Sequence, residues 1–208
     1  MTRAKSRWRR RAEARPEEIL EAALGEFSDR GFDAARMEDI GRRAGLSKAG
    51  VYLYFPSKQA LLEALIEARV SPLAAQAQSM ADAGRDDPLG ALRLLARVAA
   101  HRVGDPNLFA VPRLVIGLSG RFHEIADYYR THVVEKARRA LETLIEAAIA
   151  KGQIRAVAKD AVVRAFIGAL FFEAMWTHVL RGESALHDPE KLIEQHFDIL
   201  LNGLEPRA

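Results

Sequence analysis

Between Met37 and Phe55 two short apolar-periodic segments stand on either side of one glycine, Gly45. This punctuation constrains the fold more than any other feature of the chain. Met37, Ile40 and Ala44 recur at helical spacing. Gly45 then supplies the left-handed backbone that ends a helix at little steric cost. Ser47 is a natural N-cap for a second helix, in which Val51, Tyr54 and Phe55 have the spacing to pack inward before Pro56 ends it. Two short helices joined by a tight glycine turn make a helix-turn-helix over residues 36–55. The second helix opens with Ser47 and Lys48 and carries Tyr52 and Tyr54, side chains suited to a surface that lies against phosphates.

The flanking segments read as helix as well. Pro16-Glu17-Glu18 is a helix start, with proline in the first turn and carboxylates near the positive end of the dipole. Ile19, Leu20, Ala23, Leu24 and Phe27 follow as one stripe, closed by Gly31. Ser57 caps a fourth helix that buries Leu61, Leu62, Leu65 and Ile66, and Pro72 predicts a kink or break in it. Further helices are expected from Leu89 to Val103, Asn107 to Gly117, residues 121–150, Lys159 to Leu180 and residues 189–203. The last carries Leu192, Ile193, Phe197, Leu200 and Leu201 on one face. The Lys159–Leu180 helix is apolar nearly all round, which in a chain this small implies a partner subunit. No strand pattern survives, so the fold class is all-α, with about nine helices in total.

Composition narrows the function. The 208 residues include 49% hydrophobic and 28% charged side chains, and no cysteine. A buried core is therefore available, and disulfides and thiolate zinc sites are excluded. The longest strongly apolar run, Ala165 to Phe172, falls far short of the roughly 20 residues of a membrane span. The N-terminus has no apolar stretch behind it and so does not read as a secretory signal. A cytoplasmic protein with no membrane partner is expected. Charge is uneven: residues 1–58 hold 13 Lys/Arg against 9 Asp/Glu, and the remaining 150 hold 18 against 19. Most of the excess lies in residues 1–15, with seven basic side chains and one Glu. Residues 1–14 are expected to be a disordered basic arm suited to a polyanion. No nucleophile motif or phosphate-cradling glycine loop is present. His123 and Asp127 share a helix face but read as a surface ion pair, so neither metal nor cofactor is expected.

The first 65 or so residues resemble the DNA-binding domain of TetR-family transcriptional regulators. The resemblance rests on Glu26-Phe27, Gly31-Phe32, Met37-Glu-Asp-Ile40, Ala44-Gly-Leu-Ser-Lys48, Val51-Tyr-Leu-Tyr-Phe-Pro-Ser-Lys58 and Leu61-Leu62. It implies a three-helix DNA-binding domain over residues 15–66, followed by a ligand-binding and dimerisation domain over residues 67–208. It further implies a regulator, most often a repressor, that leaves its operator when a small-molecule effector binds. A small helical enzyme and a non-specific architectural DNA binder are the alternatives. The chain departs from the family pattern at three positions. Ala35 and Gly50 stand where threonine is usual, and Leu53 stands where histidine is usual.

On this reading the DNA contacts are Arg36, Ser47, Lys48, Ala49, Gly50, Tyr52, Leu53, Tyr54 and Lys58. Small residues at 49 and 50 let the backbone approach the base edges, Lys48 reaches a phosphate or guanine, and Leu53 offers only an apolar contact. One helix reads few bases, so a homodimer on a palindromic double-stranded operator is expected. Its interface is assigned to Gly168, Phe171, Trp176, Val179, Phe197 and Leu201, in a four-helix bundle. The effector pocket is assigned to Phe109, Arg113, Ile116, Phe122, Tyr128, Phe166 and Leu170. Arg113, flanked by Val111, Leu114 and Val115, is expected to be partly buried.

Overall fold

The computed structural model describes residues 2–183 and 188–202, with side chains from Arg15 onward except those of Pro189, Glu190 and Ile193. The side chains of the basic arm therefore lie outside the described residues, as does that of Ile193. Every element described is helical: α1 (Thr2–Ala34), α2 (Met37–Arg43), α3 (Lys48–Tyr52), α4 (Lys58–Arg69), α5 (Ser71–Ala83), α6 (Pro88–Val103), α7 (Pro106–Leu118), α8 (His123–Tyr129), a π-helical turn (Arg130–Val134), α9 (Glu135–Ala150), α10 (Lys159–His178) and α11 (Pro189–Asn202). The count reconciles with nine expected helices. The expected fourth is broken into α4 and α5 at Val70, just before Pro72, and the expected 121–150 helix carries the π-turn within it. The first helix begins at Thr2 rather than at Pro16. The Ala-, Arg- and Lys-rich arm contains good helix formers and no breaker before Pro16.

The chain divides into two compact units, Met1–Val70 with Ala110–Tyr129, and Ser71–Phe109 with Arg130–Ala208. The boundary falls a few residues beyond the expected position 66. The segment Ala110–Tyr129, which sequence assigned to the second domain, packs with the first unit. Its contacts give the reason. Phe122 meets Phe32 edge-on at 5.5 Å, Arg121 pairs with Asp33, and the Tyr128 hydroxyl donates to Glu67 Oε1 at 3.0 Å.

The first unit is built around residues with almost no exposure: Ile19 and Phe27 of α1, Ile40 of α2, Val51 of α3, and Leu61, Leu62, Leu65 and Ile66 of α4. Gly31, at φ 79°, breaks α1 where the stripe ended. A charged lattice ties α1 to α2 over this core. Arg43 reaches Asp29 at 2.8 Å and Glu26 at 3.7 Å, while Arg30 reaches Glu26 at 3.5 Å and Asp39 at 3.2 Å.

In the second unit α5, α6, α9, α10 and α11 surround Leu92, Ala96, Leu144, Ile145, Val163, Phe166 and Phe197. Phe197 corrects an expectation. It is 2% exposed and edge-on to Phe166 at 5.8 Å, so it belongs to this core and not to a dimer surface. Leu201 is half-buried against the same cluster. An amphipathic stripe shows that a face is covered; it does not distinguish cover by the same chain from cover by a second copy.

Candidate nucleic-acid interface

The helix-turn-helix is fixed by local chemistry and one close approach. Gly45 has φ 66°, the left-handed turn expected after α2. The Ser47 hydroxyl accepts from the Gly50 N–H at 3.1 Å, capping α3, and the Ser57 hydroxyl accepts from the Ala60 N–H at 3.0 Å, capping α4. Where α2 crosses the turn into α3, Gly41 is buried. A Cβ there would lie 3.0 Å from the Leu46 carbonyl oxygen and 3.2 Å from Val51 Cγ2. A side chain there would press on both, so a residue without one suits this close crossing.

This scaffold turns one side of α3 outward. Leu53 is 85% exposed and Tyr52 45%. Lys48 and Ala49 are exposed beside them, and Arg36 is exposed just before α2. Gly50 is half-buried over the Ser47 cap. Tyr54 is exposed, contrary to its core spacing: the inner side is taken by fully buried Val51 and half-buried Phe55, both Tyr54 and Phe55 N–H donating to the Val51 carbonyl. Arg36, Lys48 and Tyr52 line a groove of about 540 Å³ together with Glu38, Met37, Phe32, Asp33 and the start of α4.

Two lysines are placed differently from expectation. Lys58 does not extend outward. Its Nζ donates to the carbonyls of Phe32 at 2.6 Å and Asp33 at 3.0 Å and lies 4.9 Å from the Phe32 ring centroid. It satisfies carbonyls freed where α1 ends, a long-range contact that chain order conceals. Lys48 donates to Glu38 Oε1 across the turn at 2.8 Å. That hydrogen bond, and then the lysine charge, hold the Glu38 carboxyl below the usual carboxylate range, and the same pairing raises the Lys48 ammonium. Glu38 was missed by sequence reasoning, although a carboxylate ten residues before the recognition-helix lysine is the signal that marks it.

The expected effector residues fall in both units. Phe109 is buried and stacked on His178 at 5.5 Å, with His178 Nε2 donating to the Val103 carbonyl at 2.7 Å. Phe166 and Leu170 belong to the second core. Phe122 and Tyr128 are half-buried in the first unit. Ile116 is exposed, and so is Arg113, which corrects its expected burial. Apolar neighbours at i−2, i+1 and i+2 lie on other faces of a helix and say little about position i. Glu173, unremarked in the sequence, is buried on α10 and accepts from Thr177 Oγ1 at 3.3 Å. Among the described residues no group of three or more side chains is placed to hold a metal ion.

Two phenols of the first unit are displaced upward to about 12. Burial does this at Tyr129, and burial followed by the hydrogen bond to Glu67 does it at Tyr128. The neutral phenol is the form the fold favours. Its contribution is fully present below the ordinary value of 10 and is lost as pH rises from 10 towards 12. Phenolate absorbance should thus remain incomplete at about pH 11 in the folded protein, and melting temperature should fall as pH rises from 10 towards 12. Ionisation of every tyrosine at the free-phenol pH would contradict this.

On the outer side of α10, Ala161, Ala165, Gly168, Phe172 and Trp176 follow one another at helical spacing and are all exposed. Phe171, Val179 and Leu180 are exposed alongside, with Phe172 stacked on Trp176 at 6.1 Å. Phe172 and Leu180 join the expected surface that Phe197 leaves. Among the described residues no helix is long and apolar enough to cross a membrane.

Comparison with known proteins agrees with this geometry. Residues 19–65 match the family model of bacterial regulatory proteins, tetR family, and residues 83–188 match the tetracyclin repressor-like C-terminal domain. The HTH-type transcriptional regulator RutR of Escherichia coli K12 is 37% identical over 93 residues, 43% of this chain and 41% of its own length. The chain thus aligns with well under half of that relative. The fold resembles the SmeT–triclosan complex, at TM-score 0.76 and 21% identity over 94% of this chain and 99% of that one. It also resembles FadR of Bacillus subtilis in complex with stearoyl-CoA, at TM-score 0.71 and 17% identity over 91% and 99%.

Proposed function

The chain belongs to the TetR family of bacterial regulatory proteins, and on that footing we propose that it is a dimeric, sequence-specific transcriptional repressor released from its operator by a small-molecule effector. The observation that carries the reading is the outward side of α3. There Lys48, Tyr52 and Leu53 are presented on a helix locked by the Ser47 cap and the Gly41 crossing. An N-terminal lysine and tyrosine suit phosphate and base edges, and Leu53 suits a thymine methyl. With Lys58 engaged by backbone carbonyls, Arg36, Lys48 and Tyr52 carry the polar contacts.

A second copy related by a twofold axis covers the apolar side of α10 and sets two recognition helices on two half-sites. The second unit takes the effector. The similar folds of SmeT in complex with triclosan and FadR in complex with stearoyl-CoA support an apolar ligand, and Phe109, Phe166 and Leu170 supply an apolar surround. Effector and operator then oppose each other reciprocally: each weakens the other's binding by the same factor.

The test is titration of duplex DNA from upstream of the protein's own gene against a scrambled duplex, with salt varied. Selective, salt-sensitive binding is expected. Lys48→Ala should lower the log–log salt slope by about 1.8 for a dimer, at about 0.9 per phosphate contact, with an unchanged helical spectrum. Equal affinity for both duplexes would instead support the architectural alternative.

A further inference from the structure

The Lys48–Glu38 pair places a carboxylate on a surface that has to meet polyanionic DNA. Its geometry does not mark it as a device for stability. Lys48 and Glu38 side chains are 53% and 51% exposed, so water screens the pair and its net contribution to folding is small. The neighbouring Asp39 shows the contrast. It faces α1 and its own helix, bound to Arg30 at 3.2 Å and Arg42 at 2.8 Å, within the lattice that joins α1 to α2. Glu38, one residue earlier, crosses instead to the first residue of α3 and lines the same groove as Arg36 and Tyr52.

The chemistry of the partners differs. A phosphate oxygen accepts hydrogen bonds and carries negative charge, so it competes with Glu38 for Lys48 and is repelled by it. A base edge is different: guanine offers acceptors to lysine, and the cytosine N4 amine can donate to a carboxylate. Non-specific binding is almost entirely phosphate electrostatics. A clamp on the leading lysine therefore weakens random DNA more than an operator that rewards both groups.

We propose that Glu38 is a specificity-determining residue that holds Lys48 across the helix-turn-helix and suppresses its use on non-operator phosphates. This rests on the DNA-binding reading above. In random DNA the pair enters with no net charge, and Lys48 adds little to counterion release. At the operator, Lys48 is drawn to a guanine or a fixed phosphate, and Glu38 faces a base edge.

The test measures operator and random-duplex affinity of the full-length protein at 50–200 mM salt, comparing wild type, Glu38→Gln and Asp33→Asn. Asp33 lies in the same groove, carries the same charge and is held by Arg121 instead of a lysine of α3. Glu38→Gln should raise random-duplex affinity and steepen its salt slope by about 1.8 per dimer, an extra loss of about tenfold between 50 and 200 mM. The operator-to-random ratio should fall, and Asp33→Asn should leave that ratio near wild type. Equal changes in the two variants would reduce Glu38 to bulk charge and overturn the proposal. A Glu38→Gln protein that loses affinity for both duplexes would overturn it too, by making Glu38 a support for Lys48 in the complex. If wild type lacks selectivity, the DNA-binding reading itself fails; if wild type is selective and Glu38→Gln matches it, only this proposal fails.

Discussion

Gly41→Val is expected to destabilise the first unit by about 1–3 kcal/mol and to remove operator binding at temperatures where the rest of the chain stays helical. The added side chain starts from a Cβ already 3.0 Å from the Leu46 carbonyl oxygen, 3.2 Å from Val51 Cγ2 and 3.3 Å from the Ser47 carbonyl oxygen. Two of these neighbours are backbone at the turn itself, and Val51 is fully buried. Relief of the two backbone contacts shifts the turn that joins α2 to α3. A protein interior close-packed to this degree converts one added group into displacement of an element. Circular dichroism melting together with DNA titration checks the prediction. A variant that melts as wild type and binds the operator would show that the helices do not need this crossing.

Phe171→Glu is expected to have the largest effect on assembly. Phe171 is 47% exposed on α10 beside Phe172, Trp176, Val179 and Leu180, so the substitution leaves the core of Val163, Phe166, Leu170 and Ala174 untouched. Loss of an aromatic anchor at the centre of an interface costs about 2 kcal/mol or more. Twofold symmetry makes each substitution count twice. The combined cost of about 4 kcal/mol is about a thousandfold in the dimer dissociation constant. Sedimentation should then show a helical monomer at concentrations where wild type is dimeric, with operator affinity lost in parallel. An unchanged dimer would place the interface elsewhere.

Local chemistry was legible in the sequence. Gly45, Ser47, Ser57 and the stripe Leu61, Leu62, Leu65 and Ile66 each act within a turn or two of chain, and each appears in its expected role. The break before Pro72 follows from the missing amide of proline. Contacts set by helix crossings were not legible. Lys58 looked like a surface lysine because Phe32 and Asp33, whose carbonyls it binds, stand 26 and 25 positions away. Ala110–Tyr129 carries no mark that distinguishes it from other amphipathic helix; its place follows from Phe122 meeting Phe32 and Tyr128 meeting Glu67. The α10 surface lies between these cases. Its all-round apolarity foretold an apolar outer side, while Phe172 and Leu180 emerged as part of it only when Val163, Phe166 and Leu170 were seen to occupy the inner side.

On the proposed function, two recognition helices, each capped by Ser47 and seated at the Gly41 crossing, read two symmetric half-sites. Footprinting of the DNA upstream of the gene by the full-length protein tests it most directly. The expected result is paired protection with half-site centres about 34–36 Å apart along the duplex, or a multiple of that spacing, lost in Gly41→Val and weakened in Lys48→Ala. Uniform protection without register, or a footprint indifferent to both substitutions, would contradict it.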